Sequence, residues 1–187
     1  MSQGGNTMKR QSLLWALPLL VVGVTACTNQ AGTSEAPITI TVELKDRPLL
    51  VDVRTPAPVQ LQTINLVSSF KRSQVTDPHG FATAEMNYYT VVYSRRDGGT
   101  RVPPPEQFGT GVVLPAGGTS VLTNFPVMKQ SSIQMSPFDQ LLPFNGGIDQ
   151  ETGLSEIHIF YSVTFFGTTV SGQRVQSETA TADLFFQ

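Results

Sequence analysis

From Ile157 to Phe165 every second residue is large and apolar: Ile157, Ile159, Tyr161, Val163 and Phe165 share one parity, and His158, Ser162 and Thr164 sit on the other. A helix cannot gather residues spaced by two on one side, whereas a strand does so automatically because successive side chains leave opposite faces. The same parity returns in Ala180, Ala182, Leu184 and Phe186, with Ser177, Thr179, Thr181 and Asp183 expected to face outward. Between the two runs, Val170-Ser171-Gly172-Gln173 supplies a turn, so the pair reads as a β-hairpin with one buried and one wet face.

Further strands follow from the same logic. Ile38 to Leu44 alternates strictly, Leu49 to Val53 is short, and Val59 to Phe70 changes parity between Leu61 and Ile64, which implies a bulge or a crossing between sheets. Met86 to Arg95 is aromatic and β-branched on both parities and is placed centrally in a sheet, while Gln107 to Val113 and Thr119 to Val127 complete the set. Turn residues punctuate them: Asp77-Pro78-His79-Gly80 within a loop spanning 72–84, Asp97-Gly98-Gly99, Pro103-Pro104-Pro105 and Pro115-Ala116-Gly117-Gly118. Ser136 to Gly147 carries Phe138, Leu141 and Leu142 at helical spacing, and its apolar side is expected to cap one end of the core.

No run of ten residues has a helical period, so residues 38–187 are expected to form an all-β domain of about seven to nine antiparallel strands. The long central strand and terminal hairpin make it resemble an immunoglobulin-like or fibronectin type III-like β-sandwich. The sequence departs from antibody domains, because no cysteine follows Cys27 and the single tryptophan is Trp15.

The first segment has a different character. Lys9 and Arg10 precede an apolar run from Leu13 to Val24, about a dozen residues interrupted by Pro18, which suits the core of an export signal and falls short of the roughly 20 residues a spanning helix needs. The run ends Val24-Thr25-Ala26-Cys27, which resembles the lipobox of bacterial lipoproteins. The resemblance implies that residues 1–26 are a cleaved signal peptide and that Cys27 carries a diacylglyceryl thioether. It implies too that the mature protein is anchored in the cell envelope without spanning the membrane, in the outer membrane where the source has two. Residues 27–37 then comprise the lipidated cysteine and a small, polar, flexible tether, whose ten residues after Cys27 have an r.m.s. span of about 18 Å.

Composition narrows the chemistry. A net charge of −2 with 14% charged residues lacks the basic footprint that phosphate backbones require, so nucleic acid is not an expected partner. The nucleophile-elbow, zincin, phosphate-loop and paired-cysteine motifs are absent from the sequence, so no catalytic residue, metal ligand or cofactor is assigned. His79 and His158 read as a solvated turn residue and an outward strand residue. Asp149, Glu151 and Glu156, beside Asn145-Gly146-Gly147, could offer oxygens to calcium but read as solvated loop carboxylates. Arg95, Arg96 and Arg101 flank a turn and read as a charged edge able to grip an anion, with Lys71 and Arg72 a weaker version.

The expected function is therefore a non-enzymatic binding or scaffolding domain on a lipid anchor, its partner an envelope protein or glycan. The alternative is an envelope-anchored hydrolase or carbohydrate-binding module using Asp139, Asp149, Glu151 or His79. A third reading is an accessory subunit of a larger surface assembly. A mature chain beginning at Cys27 would contain no tryptophan, so its fluorescence is expected to be tyrosine-like only; a tryptophan emission band from the membrane-extracted protein would contradict cleavage at that site.

Overall fold

The computed structural model describes residues 35–45 and 49–187, so the signal segment, Cys27 and residues 28–34 of the expected tether lie outside the described residues. The described chain is all-β. Nine strands are formed: β1 (Ile38–Leu44), β2 (Leu49–Val51), β3 (Val59–Phe70), β4 (Ala84–Arg95), β5 (Glu106–Leu114), β6 (Thr119–Met128), β7 (Ile157–Thr169), β8 (Arg174–Gln176) and β9 (Ala180–Phe186). Among the described residues helical structure is limited to one four-residue helix, α1 (Gln130–Ile133), and two 3₁₀ turns, Phe138–Leu141 and Pro143–Asn145. Among the described residues no helix is long and apolar enough to cross a membrane.

A three-stranded sheet in the order β1-β3-β6 faces a six-stranded sheet in the order β2-β9-β7-β4-β5, with β8 also paired to β7. The larger sheet is mixed, which corrects the purely antiparallel expectation: β2 runs parallel to β9, with Leu49 opposite Leu184 and Val51 opposite Phe186. The amino-terminal strand region is thus shared between the sheets, β1 in one and β2 in the other. The sheets also meet along β1, where Ile40 bridges Ser177 and the Glu178 amide donates to the Ile40 carbonyl at 2.7 Å. On the far side the turn Pro115–Gly118 carries the chain from β5 into β6, and its Gly117 needs the positive φ of 70° that closes it.

The period-two pattern becomes burial directly. Ile38, Ile40, Val42 and Leu44 from β1 and Leu61, Ile64 and Leu66 from β3 pack against Ile157, Ile159, Tyr161, Val163 and Phe165 of β7 and Leu184 and Phe186 of β9. Tyr89 lies at the centre, its ring 4.1 Å from Phe125 and 5.1 Å from both Phe108 and Phe165. The Tyr89 and Tyr93 hydroxyls donate to the Pro126 and Val127 carbonyls at 2.7 and 2.6 Å, tying β4 of one sheet to β6 of the other. Burial, reinforced by the Glu106 carboxylate, pushes both phenols far above their ordinary titration range, so they stay protonated donors. Glu106 is itself buried and satisfied, accepting from the Lys129 amide and the Ser132 hydroxyl.

The parity break in β3 has a specific form. Leu61 pairs with Phe125 and Ile64 with Leu122 without loss of register, so both strands exchange their inner and outer faces at one level, beside Asn124 with φ 52°. The register shift itself sits at Val59/Gln60, and β3 remains in one sheet, so no crossing occurs. Strand β4 is central, flanked by β5 and β7, yet one of its faces is wet, with Val92 47% exposed. The return strand of the hairpin is broken into β8 and β9. At the break Ser177 is buried rather than outward, and its hydroxyl accepts the Phe165 amide at 2.9 Å. Ala36 is buried and the Pro37 carbonyl accepts the Lys71 amide, so the folded body begins within the segment expected to be tether.

Phe138 and Leu141 are buried as expected for a cap, with the Phe138 ring 4.0 Å from Phe186, whereas Phe144 is 82% exposed. Gly167 in β7 is dictated by close backbone approach: a Cβ there would collide with the Glu85 backbone carbonyl of β4 at the bulge beside Met86 and Tyr88. Gly167→Ala is therefore expected to destabilise by about 1–3 kcal/mol through overpacking, read as a lower denaturant midpoint. Gly111→Ala, whose new methyl would meet nothing within 4 Å, is expected to leave the midpoint nearly unchanged.

Candidate functional site

Tyr89, Val91 and Tyr93 point into the core, and the same alternation carries Arg95 inward at the end of β4, opposite Ile159. Its side chain is 1% exposed. A guanidinium placed there must be neutralised and fully hydrogen-bonded to be tolerated. Asp97 meets it bidentately, Arg95 Nε and Nη2 donating at 2.7 and 2.8 Å, and Asp149, which is 0% exposed, takes a second bond from Nη2 at 2.8 Å. Asp97 also accepts the amides of Gly99 and His158, while Asp149 accepts the amide and hydroxyl of Thr152. Glu151 completes the clip by accepting the amides of Thr100 and Arg101 and the Thr100 hydroxyl. A Cβ on Gly99 would strike the Arg95 guanidinium, so the turn needs glycine there.

The cluster settles several expectations. Arg95 is not part of an exposed cationic edge; it is the buried centre of a clip joining the turn after β4 to residues 149–153. Asp149 and Glu151 are not freely solvated carboxylates, because Arg95 and the Thr100–Arg101 backbone hold them. For Asp97 and Asp149 burial pushes the carboxyl values up, but the bonds from Arg95, with backbone and Thr152 donors, outweigh it and leave both below the ordinary range. Glu151 is lowered mainly by the Arg101 amide and Thr100. Arg95 is weakened by burial but held more firmly protonated by its two aspartates.

The remaining singled-out groups lie on the outer face of the large sheet or in the loops beside it. His158 is half-buried there, its Nε2 2.8 Å from Asp183 Oδ1 and its ring stacked 4.2 Å from Phe185. Arg96 lies 4.2 Å above the Phe160 ring and 3.7 Å from Asp183, and Arg101 pairs with Glu151 at 3.6 Å. His79 sits in the exposed turn before β4, 5.8 Å from the Phe81 ring. Arg95 ends β4, so its 12 residues, at about 3.3 Å each, separate His79 from Asp139, Asp149 and Glu151, and these do not form one site. Among the described residues no group of three His, Cys, Asp or Glu side chains is placed to hold a metal ion.

At the Arg95 end the fold opens a cleft of about 450 Å³, lined by Asp52, Arg54, Leu141, Gly147, Ser155 and Glu156 together with Gln187. The parallel pairing of β2 and β9 builds it. The Val53 amide donates to the Gln187 carbonyl and the Gln187 amide to the Val51 carbonyl, so Asp52 and Arg54 leave the sheet where residues 138–156 re-enter β7. Asp52 is held by the Arg54 amide at 2.9 Å and the Thr55 hydroxyl at 3.3 Å. Among the described residues no ion pair engages Arg54 or Glu156. Glu156 was among the residues read from the sequence; Asp52 and Arg54 were not, and their only local signal is that a short apolar strand ends at them.

Comparison with protein-family models, with curated proteins and with solved structures finds no match to this chain. The assignment rests on the residues themselves.

Removing the central cation tests the clip. Arg95→Met is expected to cost about 3–5 kcal/mol at neutral pH, because two buried carboxylates lose their partner. The pH dependence carries the sign. In the parent, lowered carboxyl values contribute stability that is complete above the ordinary Asp value of about 4 and is lost as acid carries the pH down through the folded values. In Arg95→Met the unpaired carboxylates are raised instead, so its stability should increase on acidification toward pH 4. Chemical denaturation across that range reads both, and parallel profiles for the two proteins would contradict the assignment.

Proposed function

We propose that the protein is a bacterial cell-envelope lipoprotein, anchored through a lipid on Cys27, whose all-β domain binds or scaffolds another envelope component without catalysing a reaction. The observation that carries the binding part is the contrast at one end of the domain: Asp97, Asp149 and Glu151 are committed to Arg95 and nearby backbone, while a cleft of about 450 Å³ beside them holds Arg54 and Glu156, which form no ion pair among the described residues. The anchor is carried by Lys9, Arg10, the apolar run and Val24-Thr25-Ala26-Cys27. Strand order supports an immunoglobulin-like description. With β3, β4, β6, β7 and β9 taken as strands B, C, E, F and G, B neighbours E in one sheet, and G, F and C follow one another in the other with β5 as an added edge. The hydrolase alternative would have to draw on Asp52 and Glu156 of the cleft, since Asp149 and Glu151 are already engaged and His79 lies at the opposite end.

Intact-mass analysis of protein extracted from bacterial membranes tests the anchor. The expected product begins at Cys27 and carries diacylglyceryl mass, and Cys27→Ser is expected to accumulate as uncleaved, unlipidated precursor. Normal processing and membrane retention of that variant would refute the anchor, and turnover of an ester, peptide or glycoside abolished by Glu156→Gln would replace the binding reading with the catalytic one.

A further inference from the structure

We propose that the cleft between Asp52–Arg54 and Ser155–Glu156 is a binding site for a small dibasic amino acid or short basic peptide, a ligand carrying one carboxylate and two ammonium groups. The inference rests on the binding-domain reading above and names the ligand class.

Three features of the cleft lead there. It is an open cleft of about 450 Å³ with a mainly polar lining, large enough for a small polar molecule that stays partly in contact with water. Its charged lining consists of two carboxylates, Asp52 and Glu156, and one guanidinium, Arg54, so the side-chain charges sum to one negative. These groups are not spent on one another: among the described residues Asp52 takes only the Arg54 amide and the Thr55 hydroxyl, and no ion pair closes on Arg54 or Glu156. A simple anion would satisfy Arg54 and be repelled by the carboxylates, a diamine would leave Arg54 unanswered, and a neutral sugar would answer neither sign. A carboxylate on Arg54, bound as guanidinium–carboxylate forks are, with ammonium groups on Glu156 and Asp52, balances all three.

The walls are fixed before any ligand arrives. Arg95 clips residues 149–153 to the turn after β4, the Gln150 amide donates to buried Gln140 at 2.8 Å, and Asp52 is pinned by its own turn. A preset wall lowers the ordering cost of binding. Leu141 contributes an apolar surface for a methylene chain, and Ser155 a hydroxyl beside Glu156.

The test is calorimetric titration of the protein as extracted from membranes in detergent with free L-lysine, set against norleucine, which keeps the chain length and lacks the distal ammonium. Saturable lysine binding is expected, weaker by about tenfold or more for norleucine and for each of Arg54→Ala and Glu156→Gln, the loss of one charge-assisted contact. Both positions are exposed, so circular dichroism should show the variants folded. No saturable binding of lysine, equal binding of norleucine, or undiminished binding by both variants would overturn the assignment. The parent reading is judged on other readouts, the lipid mass at Cys27 and cross-linking to a partner in membranes, so the two can fail separately.

Discussion

The pleat of β4 forces a cation into the interior, and much of one end of the domain is organised to answer it. Once Tyr89, Val91 and Tyr93 are committed to the core, Arg95 has no choice of face. An unpaired guanidinium there would be prohibitive, so Asp97 from the following turn and Asp149 from a distant loop converge on it, and Glu151 follows to bind the turn's backbone. Such a clip yields little net stability over a hydrophobic replacement, but it specifies one arrangement of two loops that have no regular structure of their own. The cleft beside it inherits that arrangement.

A second constraint acts between the two sheets. Two sheets of three and six strands are held in register by features apolar burial alone would not fix: the Tyr89 and Tyr93 hydroxyls reaching the β6 backbone, and the Ile40–Ser177 bridge that joins the sheets along β1. Shared membership of the amino-terminal region in both sheets lets β2 run beside β9 and delivers Asp52 and Arg54 to the same end as Glu156. Without the parallel β2–β9 pair the cleft would lose one wall.

The period-two strands were legible in the sequence because half-burial writes itself as alternation, and β1, β3 and the β7–β9 pairing follow from it directly. So, in retrospect, was the position of Arg95: extending the parity of Val91 and Tyr93 by two residues places it inside, but the adjoining Arg96 and the Asp97-Gly98-Gly99 turn invite the reading of a solvated edge. Ser177 escapes the pattern for the opposite reason, since the parity of Ala180 to Phe186 does not pass through the break between β8 and β9. What a single sequence could not reveal is contact between distant segments. Asp149 meeting Arg95, or Asp52 meeting Glu156 across a cleft, depends on sheet order and on the parallel sense of β2, neither of which leaves a local periodic mark.

Chain direction links the site to the proposed anchor. Ile38 pairs with Phe70, and the Pro37 carbonyl takes the Lys71 amide, so the chain joins the body beside the loop that holds His79. From there β1 and then β2 run toward the opposite end, where Val51 lies beside Phe186 and the cleft opens. The 12 residues of β4, at about 3.3 Å each, measure the separation as roughly 40 Å. Under the proposed anchor, a lipid on Cys27 would lie nearer the His79 end, where the described chain joins the body. The cleft would be turned away, open to whatever diffuses past the membrane face. In that geometry the length of β4 sets the distance between the point where the described chain joins the body and the cleft.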